Sequence, residues 1–433
     1  MKPATERPVV VLGAGLAGLS ASVELRRRGV PHRVIEREGR AGGLAVTEEE
    51  VGYRFDKTGH LLHLRDAALR EEVLSWLGPA AWLEIDRKSV VLSHGVTTKY
   101  PFQANTFGLP RDVAYACVAG FVRAHFDAAP REVRTFEDFC LRHFGEGISR
   151  EFMIPYNEKL WGVHPREITA RWCDRFVPLP SLDDVLRGAF GVDPPALGYN
   201  AKFLYPRLGI GELARALAER AGSIELTRAP SAIDWRTREL VLEGERAPYS
   251  RIVSSLPLDV IARLLVDAPG EVVAAAGRLR ATHLHYLDVA LNTPAEVDWH
   301  WAYVPSPAVP FYRVGVYSNF STAMAPPGKA GLYVELSGRD APDPARVVPE
   351  VADHLVQLGI IRAREAVRFA RVRRIDRAYV VFDEAHEASV ATIRAFLDEA
   401  GIDSIGRYGA WTYASMEDAI VNGRAAARRA SES

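Results

Sequence analysis

At 433 residues the chain is longer than one hydrophobic core usually serves, so two or three domains are expected. Hydrophobic residues make up 48% and charged residues 25%, a balance that excludes a disordered chain and a membrane-embedded bundle. With 54 basic against 55 acidic side chains the net charge is −1, so no overall field draws in nucleic acid or an anionic bilayer, and any anionic ligand must be caught locally.

Cys117, Cys140 and Cys173 show neither metal-ligand spacing nor an even-numbered disulfide set, so packing roles in a reducing cytoplasm and no metal site are expected. The Val9–Leu12 run is too short for a signal segment and passes straight into glycines. Nowhere do about 18 apolar residues run together, so a soluble, cytoplasmic protein without a membrane span is expected.

In chain order, Val9–Leu12 is the short, β-branched, apolar run of a buried parallel strand. Gly13-Ala14-Gly15-Leu16-Ala17-Gly18 follows at once. Leu19, Val23 and Leu25 then fall at helical spacing, and Arg26-Arg27-Arg28 with Gly29 close that helix with positive charge and a stop. A second strand, His32–Ile35, ends in Glu36. This order is that of a dinucleotide site. Gly13, Gly15 and Gly18 let the backbone approach a pyrophosphate, the helix start at Leu16 and Ala17 faces its charge, and Glu36, about 20 residues on, accepts ribose hydroxyls. The pattern alone fits NAD or FAD.

Residues 101–190 are rich in helix-compatible stretches, notably 112–126 and 136–144, and poor in strand alternation, which predicts a helical insertion. Ile224-Glu225-Leu226, Glu239–Leu242 and Ile252-Val253-Ser254 predict a return to the Rossmann sheet. Residues 280–340 alternate apolar and polar positions around aromatics, as at Tyr312, Val314, Val316 and Phe320, which predicts an antiparallel sheet suited to carrying a substrate. Pro-rich stretches at 305–310 and 326–327 read as loops, and no repeat or low-complexity tract occurs. Near the end, Ser415-Met416-Glu417-Asp418 has the form of a helix cap with an acid three residues on.

Glu36-Arg37-Glu38-Gly39-Arg40-Ala41-Gly42-Gly43-Leu44 resembles the second motif of FAD enzymes of the amine oxidase and protoporphyrinogen oxidase type. The resemblance implies FAD, with Arg37, Gly43 and Leu44 under its pyrophosphate and ribityl chain. It also implies Ser254 at a strand crossing beside the cofactor, and a terminal helix that points at the flavin and brings Arg407, Met416 and Glu417 to it.

Further segments, in order along the chain, resemble the UDP-galactopyranose mutase family, most closely its eukaryotic-type branch. They are Thr58-Gly59-His60, Tyr100-Pro101-Phe102-Gln103, Pro155-Tyr156-Asn157 with Trp161, Pro310-Phe311-Tyr312-Arg313 running on to Ser318-Asn319-Phe320-Ser321, and residues 406–413. The resemblance implies an α/β protein in which a discontinuous Rossmann-type FAD domain (1–75, 191–265 and 371–433) carries a helical domain (101–190) and an antiparallel substrate sheet (76–100 and 266–370). It implies a pyranose–furanose mutase acting on UDP-galactose or a close relative, in which N5 of reduced FAD attacks the anomeric carbon. NAD(P)H is a candidate external reductant, and galactofuranose for cell-surface polysaccharide is the implied product use.

Under that resemblance Arg175, in Arg171-Trp172-Cys173-Asp174-Arg175-Phe176, and Arg313 clamp the diphosphate, a task for which guanidinium forks suit better than ammonium groups. Tyr303, Tyr379 and Tyr413 hydrogen-bond the phosphates. Gly59 and His60 pass the N5 side of the flavin, with Thr58 standing where the family often has a first glycine. Phe102, Gln103, Asn157 and Trp161 surround the base, and Asn319 lies on the substrate sheet. A rival stays open: an FAD-dependent oxidoreductase that removes hydride from an amine or a saturated ring shares every FAD motif but has no need of two arginines in a polar pocket.

Overall fold

Val9–Leu12 is buried along its whole length because both its edges are taken, by Ile252–Ser254 on one side and His32–Ile35 on the other, all parallel. Ile402–Ser404 and Ile224–Glu225 complete a five-stranded parallel sheet at its two edges. These coordinates are a computed structural model that describes residues 7–127, 132–173, 177–192, 201–338 and 340–432. Helix Leu16–Arg27 packs on that sheet and against the terminal helix Met416–Ser431. Their axes come close at Gly423, where a Cβ would sit 2.1 Å from the Ala17 carbonyl oxygen, so any larger residue would push the helices apart.

Glu239–Leu242 does not join the Rossmann sheet. It is the centre of a separate antiparallel ribbon between Pro230–Asp234 and Glu245–Pro248. The turns on either side explain this: Arg238 (φ 55°) and Glu243 with Gly244 (φ 52° and 86°) fold the chain straight back, which permits only antiparallel neighbours.

The second sheet has seven strands, in the order Val367–Val380, Ala281–Leu291, Ala330–Leu336, Phe311–Val316, Trp301–Tyr303, Ser89–Ser93 and Val96–Lys99. All neighbours are antiparallel except Trp301–Tyr303 with Ser89–Ser93, where a strand from early in the chain is added. Its first strand runs on to Val380, beyond the boundary expected at 370. Phe320, read as part of the sheet's alternation, lies instead in a single helical turn, Tyr317–Phe320. Helix Pro344–Gln357 covers one face, burying Val347, Val351 and Leu355 against Leu287, Val289 and Val334. That i, i+4, i+8 spacing is one stripe of a helix.

The insertion is helical: Arg111–Phe126 packs on Phe136–Ile148, followed by a π-turn and by Ile154–Trp161. Cys117, Cys140 and Cys173 are buried and form no disulfide with one another. No helix among the described residues is long and apolar enough to cross a membrane.

Candidate active site

The cradle for a dinucleotide is made of backbone. Gly13 takes φ 92°, and a Cβ there would lie 2.4 Å from the Ser255 hydroxyl, which itself donates to the Leu12 carbonyl. No side chain caps helix Leu16–Arg27 at Gly15, so the positive end of its dipole is open to an anion. A Cβ on Gly18 would fall 1.9 Å from the Gly13 carbonyl oxygen, which is why the turn and helix meet so closely. The second motif folds back on the first: the Gly42 N–H donates to the Ala14 carbonyl at 2.8 Å, and Gly43 lies against Gly15. Glu36, only 8% exposed, accepts from the Ala14 and Glu38 N–H groups at 2.7 and 2.9 Å, which fixes its carboxylate at the end of the second strand. These features fit a dinucleotide: an uncapped helix start, two glycine turns in contact and a held acid.

The loop after Tyr53–Asp56 leads from the cradle to the second sheet. Asp56 is buried and accepts from the Thr47 and Tyr205 hydroxyls, both at 2.6 Å, and from the Ile210 N–H. Burial still raises its pKa to about 7. Thr58 adopts φ 68°, a region that suits glycine and strains a β-branched residue. The Tyr317 hydroxyl anchors this turn by donating to the carbonyl of Asp56 at 2.7 Å and reaching that of Thr58 at 3.3 Å. Gly59 lies under Tyr333, whose hydroxyl would be 2.5 Å from any Cβ. His60 follows, its pKa lowered to about 4 chiefly by burial, with the charges of Arg407, Arg313 and Lys57 acting in the same sense. It is therefore neutral at pH 7. Its Nδ1 approaches the Thr58 carbonyl at 3.4 Å, the tautomer that leaves Nε2 as an acceptor.

Arg313 is set by its cross-strand neighbours, Tyr303 on one side and Glu335 on the other. Nε and Nη2 form a fork on the fully buried Glu335 carboxylate at 2.9 and 2.6 Å, and Nη2 also reaches the Tyr379 hydroxyl at 3.4 Å. Nη1 is left unengaged by any described residue. Burial opposes the charge, but Glu335 outweighs it and holds the Arg313 pKa well above its usual value. Arg407 stacks between Tyr379 and Tyr413, at 5.5 and 4.8 Å from their ring centres. The preceding residue, Gly406, lies against Ala17, so Arg407 joins the cradle to the wall.

From Arg313 the wall continues as a chain of packed rings, some stacked and some edge-on. Tyr303 packs on Tyr100 (4.6 Å) and Tyr156 (5.3 Å), Tyr156 on Phe152 (5.2 Å), and Phe152 on Phe102 (5.0 Å). Arg87 lies over Tyr100, with its centre 4.6 Å from the ring, and its Nη2 reaches the Tyr303 hydroxyl at 3.4 Å. Burial raises the pKa of the Tyr100, Tyr333 and Tyr379 hydroxyls, so all three remain protonated donors at neutral pH.

A reduced UDP-galactopyranose mutase of known structure superposes over 98% of this chain and 95% of its own, with a TM-score of 0.92 and 26% identity. The chain has the UDP-galactopyranose mutase fold. The likeness of fold thus extends over the whole chain, beyond the segments that carry the sequence resemblance. A Klebsiella pneumoniae protein described as a probable UDP-galactopyranose mutase is 24% identical over 58% of this chain and 60% of its own length. The chain therefore matches less than two thirds of that relative. The family model for an NAD(P)-binding Rossmann-like domain matches residues 11–74. Cyclohexylamine oxidase from Brevibacterium oxydans (TM-score 0.71, 16% identity, 99% of each chain) and putrescine oxidase (0.66, 17%, 98% of each) share the fold.

Within this mutase fold the wall brings together His60, Arg313, Arg407, Tyr303, Tyr379 and Tyr413, with Trp161 packed on Tyr379 at 5.5 Å. Its indole N–H is buried without a partner among the described residues. Arg175 lies outside the described residues. Other expected residues are committed elsewhere. Arg37 is exposed on Glu38, because the turn that carries it faces solvent. The Ser254 hydroxyl turns inward to the Leu256 N–H, and Ser255 takes the place beside Gly13. Glu417 is spent on the Arg65 and Asp66 N–H groups and the Arg65 side chain, all within 2.9 Å. Asn319 braces the carbonyls of Val297 and Trp299. Phe102 and Gln103 are buried, the Gln103 amide on the Pro178 carbonyl, and the Asn157 amide bonds back to Met153. Leu44 and Met416 pack against the core.

Residue-level reading missed Arg87, Tyr100, Tyr156, Tyr333, Ser255 and Glu335. Only Glu335 carried a signal, as a lone acid inside the apolar run 330–336. A charge there must be paired if the strand is buried.

Proposed function

We propose that the protein binds FAD in this cradle and is a nucleotide-sugar mutase, interconverting the pyranose and furanose forms of UDP-galactose or a close relative. The observation that carries the reading is Arg313, whose Nε and Nη2 are fixed by Glu335, with Nη2 also reaching the Tyr379 hydroxyl, while Nη1 stays open. An open guanidinium edge is a ready partner for a diphosphate. Reduced FAD, when bound, supplies a nucleophilic N5 and ends the cycle in the same redox state.

The chain's own residues then have separable tasks. Arg313, with Arg407 and the hydroxyls of Tyr303, Tyr379 and Tyr413, holds a leaving diphosphate of about two negative charges while the sugar is detached. Arg175 is the expected second clamp. Neutral His60 offers Nε2 as a proton acceptor beside the cradle, where a cation would meet Arg313 and Arg407. Trp161, whose indole N–H has no partner among the described residues, is the member of the expected base-binding group best placed to meet a nucleotide. NAD(P)H as reductant and a UDP-sugar as partner follow from the same reading.

The fold is shared with amine oxidases, so hydride removal from an amine is the second reading. A wall of guanidinium groups favours an anionic substrate over a cationic amine. Arg313→Lys separates the two. With FAD content unchanged, turnover of UDP-galactofuranose by the dithionite-reduced protein should fall by about 100-fold or more, since an ammonium cannot serve Glu335 and a phosphate as a fork does. Wild-type turnover in that variant would remove Arg313 from the mechanism.

A further inference from the structure

The segment joining Trp301–Tyr303 to Phe311–Val316 contains Pro305, Pro307 and Pro310, none of which has an N–H to donate. Its carbonyls would therefore be short of partners within the loop, and a buried carbonyl needs one. The Ser306 carbonyl accepts the Val309 N–H at 3.3 Å and the Pro310 carbonyl the Ser337 N–H at 2.9 Å, and one side chain supplies further donors. The Lys159 ammonium lies 2.9 Å from the Val304 carbonyl oxygen, 2.7 Å from that of Ser306, 3.0 Å from that of Val309 and 2.6 Å from that of Phe311. Four carbonyl oxygens around one cation resemble the coordination of a bound metal ion more than a surface lysine. Burial draws the Lys159 pKa down to about 7, and the carbonyl dipoles act in the opposite sense by favouring the charged form.

What the ammonium joins is the two sides of the wall. Lys159 belongs to Ile154–Trp161, the helix that also carries Tyr156 and Trp161. The loop it gathers leaves the sheet at Tyr303 and returns into Tyr312-Arg313. Tyr156 packs edge-on to both Tyr303 and Tyr312, at 5.3 and 6.0 Å, so the rings set the contact and the ammonium sets the spacing behind it.

We propose that Lys159 is a positioning residue for diphosphate binding: its ammonium replaces the donors that the prolines remove and locks the Tyr303–Arg313 hairpin to the helix bearing Tyr156 and Trp161. This rests on the nucleotide-sugar reading above. With its ammonium taken up by these four carbonyls, Lys159 acts through the angle at which Arg313 and Tyr303 meet the ligand.

The test is UDP titration of the FAD-loaded full chain by calorimetry, comparing wild type, Lys159→Met and Lys159→Ala. The expected result is a loss of UDP affinity of about tenfold or more in both variants with FAD content unchanged. Ethylammonium should restore affinity in Lys159→Ala, whereas tetramethylammonium, which has no N–H, should not. Wild-type affinity in Lys159→Met, or equal rescue by both cations, overturns the proposal. Failure of the wild type to bind UDP would instead sink the nucleotide-sugar reading. If the variants do not fold, the wild type decides through acetylation by acetic anhydride. Lys159 should react far more slowly than the exposed Lys88 and Lys202, and about threefold more slowly again with UDP bound. A rate that UDP leaves unchanged contradicts a positioning role.

Discussion

The dinucleotide cradle is held by backbone and by side chains that are absent, whereas the wall beyond it is held by large side chains that neutralise one another. In the cradle, Gly13, Gly15, Gly18 and Gly43 let two turns and a helix start approach within a methyl group's width. In the wall, half-buried Arg313 is neutralised by the fully buried Glu335, and half-buried Arg407 is held by the rings of Tyr379 and Tyr413 and by the Ala378 carbonyl. At Gly13, Gly18 and Gly43 the first region has no room for an added atom, and the second tolerates no missing partner.

The largest expected effect follows from that difference. Glu335→Ala strands the Arg313 guanidinium and should cost about 3–5 kcal/mol, read as a fall in thermal midpoint. A change below about 1 kcal/mol would mean that the wall does not depend on pairing. Next comes Gly18→Ala, which sets a methyl against the Gly13 carbonyl. It should cost about 1–3 kcal/mol and, unlike any wall variant, strip FAD from the protein. Retained flavin absorbance after purification would break the contrast between the regions.

A third effect is expected from pH. The ordinary His60 pKa of 6.5 falls to about 4 in the folded chain, so between those values the unfolded chain holds a proton that the folded chain refuses. Stability should fall as pH drops from 6.5 towards 4 and then level off. Asp56, moved from 3.8 to about 7, acts the other way, its penalty setting in as pH rises. Subtracting the pH–stability curve of His60→Asn from that of the wild type isolates the histidine. The difference should be on the order of 3 kcal/mol, and a flat difference curve would show that His60 titrates normally.

The cradle was legible in the sequence because its physics is local. Strand, glycine turn, helix, strand and Glu36 follow one another within a short stretch, and the Ser415 cap with Asp418 three residues on forms as expected. The wall was legible only through resemblance. Arg87, Tyr100, Tyr303, Arg313 and Glu335 come from distant parts of the chain, and nothing in local spacing says that Glu335 will sit beside Arg313. Glu417 shows the converse: an acid at a helix start looks available for a cofactor, yet a loop some 350 positions away supplies its partners. Glu239–Leu242 was misassigned because a strand's composition does not reveal its sheet, and the positive-φ turns that decide it involve Arg238 and Glu243, residues that do not advertise such turns.

The central claim is that the polar wall grips the diphosphate of a sugar nucleotide while a reduced flavin is in the cradle. It is tested most directly by incubating the FAD-loaded protein with UDP-galactofuranose, with and without dithionite, and separating the products by chromatography. The account predicts conversion to UDP-galactopyranose by the reduced protein alone, with no net consumption of reductant. Conversion only by the oxidised protein, or none by reduced protein that oxidises an amine when its flavin is oxidised, would contradict it.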